Sequence, residues 1–300
     1  MPRHTAADFH PEVLRLFDRY IHGALPRADF LRLAARYAAA GVTAEALLEA
    51  LSPRYAEAQQ VAPNDARLTT QYVEFPSPQD YGKGRGYLAA PHKPSGRLPA
   101  ILVVHENRGL NPHIEDIARR LALANFIGFA PDALFPLGGY PGDDEKAGAM
   151  FAQLDQVKTR NDFIAAAEYL TSLPNANGKV GVVGFCYGGT IANFLATRIT
   201  DVSAVVAFYG GQPSAEDTAR IKAPLLLHYA GNDRRLTSGW PAYEAALKGA
   251  HVTYQAYIYP NVEHGFNNDT TPRYDADAAK LAWQRTIDFF NRYLRAPEVR

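Results

Sequence analysis

The sequence lacks most features of a disulfide-stabilised, membrane-spanning or strongly charged protein. Cys186 is the only cysteine in 300 residues, which excludes an intramolecular disulfide and favours a reducing compartment. Basic and acidic residues number 31 each, which argues against nucleic acid or an anionic membrane as a partner. No apolar run approaches the roughly 18 residues of a membrane-spanning helix. We therefore expect a soluble, cytoplasmic protein.

Composition still allows a large hydrophobic core. Hydrophobic residues make up 47% of the chain and charged residues 21%, which suits one large domain or two small ones. There is neither an internal repeat nor a low-complexity tract in the sequence. With balanced charge, a small neutral substrate fits better than a macromolecular partner.

Residues 1–65 show helical periodicity without strand signals and predict an extension of about three short helices. Val13 and Phe17 fall on one apolar face, and Asp8 and Thr43 are candidate N-caps. The helices are expected to break at Gly23, Pro26, Gly41 and Pro53. The extension would pack on the core of its own chain or on a second subunit, and a homo-oligomer assembled through it is one prediction.

The same segment allows an alternative interpretation as a degenerate twin-arginine export signal. Arg27-Ala28-Asp29-Phe30-Leu31 precedes an alanine-rich stretch, and an A-x-A pattern follows within residues 55–59. The second arginine of such a signal is replaced here by Ala28, and charged residues interrupt the apolar region. Periplasmic export is therefore less favoured than a cytoplasmic location.

Residues 66–300 alternate between strand and helix patterns. A hairpin is predicted over 66–75 and 86–90, with its turn at the glycine-rich residues 82–86. Apolar runs at 100–104, 180–183, 204–208 and 224–229 predict buried strands with helices between them. This alternation is typical of an α/β domain whose mostly parallel sheet carries helices on both faces.

One of these strands ends in a pattern that points to chemistry. Gly184, Cys186, Gly188 and Gly189 form G-x-C-x-G-G between the strand and a helix predicted from Thr190. This pattern is a thiol version of the G-x-S-x-G nucleophile elbow, where small neighbours let the chain turn and expose the central side chain. The alternative is a buried structural cysteine.

Three other strand ends carry reactive groups that favour the catalytic interpretation. Glu106 follows the 100–104 strand, Asp233 follows the 224–229 strand, and His264 follows a strand predicted at 253–259. The order of Cys186, Asp233 and His264 along the chain is that of nucleophile, acid and base in an α/β-hydrolase triad. His264 would activate the thiol as general base, and Asp233 would orient its imidazole.

Backbone groups near the thiol are the candidates for an oxyanion hole. The N–H of Tyr187 directly follows the nucleophile, and the N–H of Asn107 follows the strand end at Glu106. Donors at these two places would stabilise the negative oxygen of a tetrahedral intermediate. The helix that starts after Cys186 would add the positive end of its dipole.

Together the residues resemble the dienelactone hydrolase family, also called carboxymethylenebutenolidases, of the α/β-hydrolase superfamily. The resemblance rests on G-F-C-Y-G-G at 184–189, Glu106, Asp233 in A-G-N-D and His264 in H-G-F, and covers about residues 68–294. It implies hydrolysis of enol lactones or activated esters through a thioester. It also implies that Glu106 helps to form the thiolate, although Glu106 could instead be an ion-pair partner of Arg108.

The sequence departs from the family pattern where substrate is held. The resemblance implies an arginine shortly after the catalytic histidine, whereas residues 267–269 here read Asn-Asn-Asp, so dienelactone itself is in doubt. Arg108, Arg234 or Arg235 could replace that arginine. The predicted pocket residues are Arg108, Tyr140, Tyr209 and Phe266, of which the aromatic ones could equally be core residues.

No cofactor or metal site is predicted. His105, His113 and His228 lack the spacing of metal ligands and are interpreted as structural or pocket-lining residues. Two rival functions stay open. One is a general carboxylesterase, thioesterase or peptidase on the same site, and the other is a non-enzymatic member that uses the pocket and the N-terminal helices for binding or assembly.

Overall fold

A computed structural model describes residues 4–38 and 42–295 of the chain. In these residues one sheet has eight strands. The strands are β1 (Leu68–Ser77), β2 (Gly82–Pro91), β3 (Leu98–Val104), β4 (Ile127–Pro131), β5 (Ala176–Phe185), β6 (Val202–Phe208), β7 (Leu225–Ala230) and β8 (Tyr254–Tyr259). Their order is β1-β2-β4-β3-β5-β6-β7-β8. The predicted break at Gly41 lies outside the described residues.

Strand direction confirms the predicted mostly parallel sheet. β1 pairs with β2, and β2 with β4, in antiparallel register, whereas the pairs from β4 to β8 are all parallel. Every residue of β3 and β7 is buried, as expected for strands covered on both faces. Because parallel strands end at one edge, the residues that follow β3, β5, β7 and β8 are brought together.

Helices flank this sheet on both faces, as predicted. In the extension the α-helices are α1 (Pro11–Ile21), α2 (Arg27–Ala34), α3 (Ala44–Leu51) and α4 (Tyr55–Ala58). They are followed by α5 (Pro112–Leu123), α6 (Asp144–Phe151), α7 (Gln156–Thr171), α8 (Tyr187–Arg198), α9 (Ala215–Thr218), α10 (Arg234–Thr237), α11 (Trp240–Gly249) and α12 (Ala276–Leu294). Side-chain N-caps start several of them, including Asn111 at α5 and Asp155 at α7. Among the described residues, no helix is both long and apolar enough to cross a membrane.

The hairpin turn predicted at residues 82–86 is wrong. The turn lies between β1 and β2, at residues 78–81, and the glycine-rich stretch opens β2. A Cβ at Gly84 would overlap the ring of Phe75, and a Cβ at Gly86 would lie 2.6 Å from the ring of Phe129. The glycines therefore make room for aromatic rings packed on the sheet rather than forming the turn.

The extension contains α1 to α4. Thr43 caps α3 as predicted, because its side chain accepts a hydrogen bond from the Ala46 N–H at 3.1 Å. The predicted cap at Asp8 is wrong for α1, whose N-cap is His10. The Asp8 carboxylate is instead bonded by the backbone N–H of Thr5 in the preceding turn, at 2.7 Å.

The extension has an apolar cluster of its own and docks on the rest of the chain. Phe17, Phe30 and Leu51 are among its buried residues. The backbone N–H of Arg54 donates to the Thr270 oxygen at 2.8 Å, beyond β8. The extension therefore contacts the sheet domain of its own chain near the strand ends, and assembly of a homo-oligomer through it stays a prediction.

Candidate active site

Cys186 lies at a sharp turn between β5 and α8. Its φ of 56° and ψ of −113° lie outside the regions that most residues adopt. A Cβ at Gly184 would overlap the carbonyl oxygen of Gly188, and one at Gly188 would overlap that of Val104. Glycine at both positions thus allows the turn that G-x-C-x-G-G predicts. The helix begins at Tyr187, earlier than predicted, so the thiol stands at its N-terminus.

The predicted acid and base meet beside the thiol. His264 Nδ1 lies 2.6 Å from Asp233 Oδ2, and both side chains are buried. At that distance Nδ1–H donates to the carboxylate, which leaves Nε2 for chemistry. Nε2 is buried without a hydrogen-bond partner, and the donor atoms of His264 and Cys186 lie within 4.8 Å of each other. Arg235 Nη2 lies 3.5 Å from the same oxygen of Asp233.

A histidine that sequence analysis did not select contacts the thiol from the extension. His22 follows α1, and its Nε2 lies 3.3 Å from Cys186 Sγ. Its Nδ1 lies 2.7 Å from the backbone oxygen of Asp18 and 3.3 Å from Asp18 Oδ1. The i, i+4 spacing of Asp18 and His22 was a sequence signal for a helix-end pair. Nothing in the sequence joins that pair to Cys186, because only docking of the extension brings them together.

Burial and neighbouring charges shift the pKa values of Cys186, His264 and His22 in opposite directions. Burial disfavours the thiolate of Cys186, but His264 and His22 outweigh it and lower the thiol pKa to about 6. Burial likewise opposes the charged form of His264, yet Cys186 and Asp233 raise its pKa. For His22, burial is outweighed by Asp18 and Cys186, and its pKa rises to about 10. The site therefore favours a thiolate beside the His22 imidazolium at neutral pH.

The two carboxyl groups that orient the histidines keep their charge in spite of burial. Burial opposes ionisation of Asp233, but the hydrogen bond from His264 lowers its pKa. Burial also opposes ionisation of Asp18, and the pair with His22 lowers its pKa more strongly. Each imidazole thus has a carboxylate behind it and the thiol in front of it.

Glu106 lies beyond the end of β3, where the sequence places it. Asn268 Nδ2 donates to Glu106 Oε2 at 2.9 Å. Arg108, the alternative ion-pair partner, donates from Nη1 to the backbone oxygen of Asn107 at 3.0 Å. Asn268, which stands where an arginine was expected, therefore holds the Glu106 carboxylate.

Two cavities meet the extension above the strand ends. One, of about 590 Å³, is lined by Cys186, Tyr187, Tyr209 and Arg108 among others. The second, of about 580 Å³, also has Arg108 in its lining and contains Glu106 and Tyr140. Residues 20, 21 and 27 of the extension line both cavities. The extension is therefore a wall of the space in which a substrate would meet the thiol.

The remaining predicted pocket residues have different surroundings. Tyr209 is buried at φ 37°, and its ring centroid lies 4.9 Å from that of His264. Phe266 is fully buried and packs below Tyr209, with the ring centroids 5.7 Å apart. Tyr140 donates its hydroxyl to Asp144 at 2.8 Å. Tyr209 thus faces the catalytic histidine candidate, and Phe266 supports it from the core.

The candidate oxyanion residues flank the thiol in the same cavity. Tyr187 is the first residue of α8, and its side-chain hydroxyl donates to Gln156 at 2.9 Å. Asn107 uses its side-chain amide to donate to the Ile21 oxygen at 2.6 Å. Their backbone positions next to Cys186 and after β3 are those that an oxyanion hole in this fold requires.

The three further histidines considered from the sequence, His105, His113 and His228, are buried. His105 accepts from the Ala133 N–H at 3.2 Å through Nε2, and burial lowers its pKa to about 4. His228 lies between Tyr259 and Thr286. His113 pairs with Asp269 at 3.2 Å. The donor atoms of residues 22, 186 and 264 lie within 4.8 Å of one another, and the predicted absence of a metal stays a prediction.

Comparison with known proteins shows which families the chain is similar to. Residues 85–294 match the dienelactone hydrolase family, and residues 1–39 match a family described as YqhI-like. The chain is 30% identical, over 77% of its length and 89% of the relative's, to an Escherichia coli protein assigned by name as a carboxymethylenebutenolidase. It is 52% identical over 38% of its length to the E. coli hydrolase fragment YghX, of which it covers 97%.

A solved structure extends the similarity to three dimensions. A Klebsiella pneumoniae protein assigned as a dienelactone hydrolase superposes with a TM-score of 0.67 at 26% identity, over 75% of this chain and all of that one. The family match spans well over half of the chain and includes β3 to α12. The chain is therefore a hydrolase that acts on ester bonds and belongs to the dienelactone hydrolase family of the α/β-hydrolase superfamily.

Proposed function

We propose that the chain hydrolyses a lactone or an activated carboxylic ester through a thioester on Cys186. The observation that carries the proposal is the convergence of the elbow thiol with His264, whose Nδ1 lies 2.6 Å from Asp233. The proposed nucleophile, base and orienting carboxylate each follow a different strand in the parallel part of one sheet. This is the arrangement through which hydrolase triads act.

Acylation begins with attack of the Cys186 thiolate on the carbonyl carbon. A C–S bond forms, and the carbonyl electron pair moves to oxygen, where the N–H groups of Tyr187 and Asn107 stabilise the charge. The intermediate collapses, the bond to the leaving oxygen breaks, and His264 Nε2 gives that oxygen a proton. In a lactone the released hydroxyl stays attached to the thioester, because both ends belong to one molecule.

Deacylation uses the same groups in reverse. Neutral His264 takes a proton from water as the water oxygen attacks the thioester carbonyl. The second tetrahedral intermediate breaks its C–S bond, and Cys186 leaves as a thiolate. The net reaction adds one water to one ester bond and yields an acid and a hydroxyl group. Asp233 keeps Nδ1 protonated throughout, so that Nε2 is the nitrogen that exchanges protons.

Glu106 is proposed to modulate the thiol when substrate arrives. Its carboxylate accepts a hydrogen bond from Asn268 at 2.9 Å, so this bond would have to break before Glu106 could take a proton from sulfur. A carboxylate is chemically able to do so. Glu106→Gln preserves the shape of the side chain and removes the carboxylate base. The fall in kcat/KM of this variant measures the contribution of Glu106 to activity.

Arg108 is the proposed binding group for a polar or anionic part of the substrate. Two other arginines of the Cys186 cavity already have acidic neighbours, since Arg27 lies 3.3 Å from Glu145 and Arg235 lies 3.5 Å from Asp233. Arg108 donates to a backbone oxygen and lines both cavities, with the Asp144 carboxylate near enough for its charge to act on it. A lactone with a carboxylate should therefore bind better than its neutral methyl ester, and Arg108→Gln should remove the difference.

The experiment is hydrolysis of a panel of lactones, aryl esters, thioesters and peptides, with mass spectrometry of the quenched enzyme. We expect turnover of lactones or aryl esters and an acyl adduct on Cys186, the only cysteine. Cys186→Ser should keep the fold and lose about 10³-fold or more in kcat. Peptide cleavage with inert lactones and esters would overturn the substrate class, and full activity of Cys186→Ser would overturn the nucleophile.

A further inference from the structure

A second histidine and carboxylate pair meets the catalytic sulfur from outside the sheet domain. His22 Nε2 lies 3.3 Å from Cys186 Sγ, and Asp18 lies behind the imidazole at Nδ1. His22 Nδ1 lies 2.7 Å from the backbone oxygen of Asp18 and 3.3 Å from its Oδ1, so the carboxylate acts on the imidazole chiefly through its charge. His264 differs in that its Nδ1 is bonded directly to the carboxylate of Asp233. The two imidazole rings meet edge to face, with centroids 4.9 Å apart at 78°. One sulfur thus has two imidazoles, and each imidazole has its own carboxylate.

We propose that His22, positioned by Asp18, is a catalytic residue that holds Cys186 as a thiolate, which leaves His264 free to serve the leaving group and water. The inference rests on the proposed function of Cys186. In the resting enzyme the proton of Sγ–H passes to His22 Nε2, and the product is a thiolate and an imidazolium. The second ring proton of His22 stays at Nδ1, toward Asp18, so one proton changes place and none is lost.

The contacts of the extension hold this second pair in position. Asn107 donates to the oxygen of Ile21, the residue before His22, at 2.6 Å. Arg273 Nη1 lies 3.7 Å from Asp18 Oδ1, and its guanidinium lies over the ring of Phe17 at 5.3 Å. His22 is therefore fixed from two directions by residues that follow β3 and β8. Such fixation is what a group in contact with a reacting atom requires.

The separate roles of His22 and His264 follow from the groups that each imidazole contacts. If His264 alone formed the thiolate, it would have to take the proton from Cys186 Sγ. It would then have to keep that proton until it gave it to the leaving oxygen. With His22 as the partner of sulfur, His264 Nε2, which has no other hydrogen-bond partner, can exchange protons with substrate and water. Glu106 is held by Asn268 in the resting site, so the role assigned to His22 replaces the proton acceptance proposed for Glu106. The groups that face His22 are Cys186 and His264, with Asp18 behind it.

The test compares the pH dependence of Cys186 alkylation by iodoacetamide in the full chain, read by intact mass in the presence of a chelator. In the unchanged protein we expect a midpoint near 6, the pKa that the site imposes on the thiol. In His22→Asn the midpoint should move toward the value of a free thiol, about 8.5, and the rate at neutral pH should fall about tenfold. The value of kcat/KM should fall by a similar factor.

His10→Asn is the matched control. His10 is a histidine on the same helix, and asparagine preserves its capping role, so the same chemical change is made away from the sulfur. Asp18→Asn is the second test variant, because it retains the side-chain shape and removes the charge. Asp18→Asn should raise the midpoint of the alkylation profile, as is expected for His22→Asn. It therefore tests the inference even where His22→Asn does not fold.

The outcomes separate this inference from the proposed function. If Cys186 of the unchanged protein reacts no faster than a model thiol, the proposed nucleophile fails. If it reacts rapidly and a folded His22→Asn or Asp18→Asn keeps that profile, only the inference about the second pair fails. A shift in Glu106→Gln without one in His22→Asn would assign the proton of the thiol to Glu106 and overturn the role of His22.

Discussion

Asn107 Nδ2 donates a 2.6 Å hydrogen bond to the backbone oxygen of Ile21, and this bond joins the end of β3 to the segment that carries His22. Asn107 is also the candidate donor for the second half of the oxyanion hole. One residue therefore connects the part of the site that would stabilise the oxyanion with the extension that covers the thiol. Activity and docking of the extension should depend on each other through this contact.

Asp233→Asn should lower kcat by about 10²- to 10⁴-fold without unfolding the protein. Asparagine can offer its amide to Nδ1 and favour the wrong tautomer of His264, so that Nε2 no longer accepts a proton. Steady-state kinetics and thermal melting measure the two effects. Asp201→Asn, an exposed substitution of the same type, is the control. Equal activity in both variants would show that Asp233 does not orient the base.

The activity should follow a bell-shaped pH profile. The thiol pKa is lowered to about 6, so activity should be lost as pH falls through about 6 and sulfur takes up a proton. The pKa of His264 is raised, so its proton for the leaving group should persist above the ordinary value of about 6.5 and be lost at higher pH. The measurement is kcat/KM against pH. An acid limb near the pKa of an ordinary thiol would contradict an activated Cys186.

Asp269 should stabilise the domain at neutral pH and lose that effect in acid. Arg120 Nη2 lies 2.6 Å from Asp269 Oδ2, and His113 lies 3.2 Å from Oδ1. Burial raises the pKa of Asp269, but His113 and Arg120 outweigh it and lower the pKa to about 2. A lowered pKa means that the stabilisation is present above the unfolded value of about 3.9 and is lost as pH falls through about 2.

The corresponding variant is Asp269→Asn, measured by denaturant unfolding. It removes the carboxylate beside buried His113 and one of the two carboxylate partners of Arg120, which keeps Asp116. It should therefore lower the free energy of unfolding by about 1–3 kcal/mol at pH 7. The difference from the unchanged protein should shrink toward pH 2, where the carboxylate itself becomes protonated. A constant difference across this range would mean that the effect is steric and not electrostatic.

Gly86→Ala should destabilise the sheet by about 1–3 kcal/mol. The added Cβ would lie 2.6 Å from the Phe129 ring and 2.8 Å from the Ala130 oxygen, and backbone atoms of β4 cannot move aside cheaply. Gly249→Ala, where a Cβ meets no atom within 4 Å, is the control. Melting temperatures of the two variants provide the measurement. Similar values would contradict the packing role of the glycine in β2.

Local pattern was sufficient for the central strands and for the order of the three proposed catalytic residues along the chain. Apolar runs bounded by turn residues predicted the central strands, because a strand buried on both faces must be apolar throughout. The position of a reactive residue just after such a strand then placed Cys186, Asp233 and His264 on one edge of the sheet, since parallel strands end together. The glycine-rich residues 82–86 misled the prediction, because glycine indicates either a turn or close packing, and sequence alone does not separate the two.

The sequence by itself determined the α/β alternation, the sharp turn at Cys186 and the family resemblance, because each depends on residues close together in the chain or on their order along it. Only the tertiary structure decided what covers the thiol. His22 and Cys186 are 164 positions apart, and their 3.3 Å contact arises because the extension docks beside β3 and β8. Docking depends on complementary surfaces built from distant segments, and no local periodicity reports that complementarity.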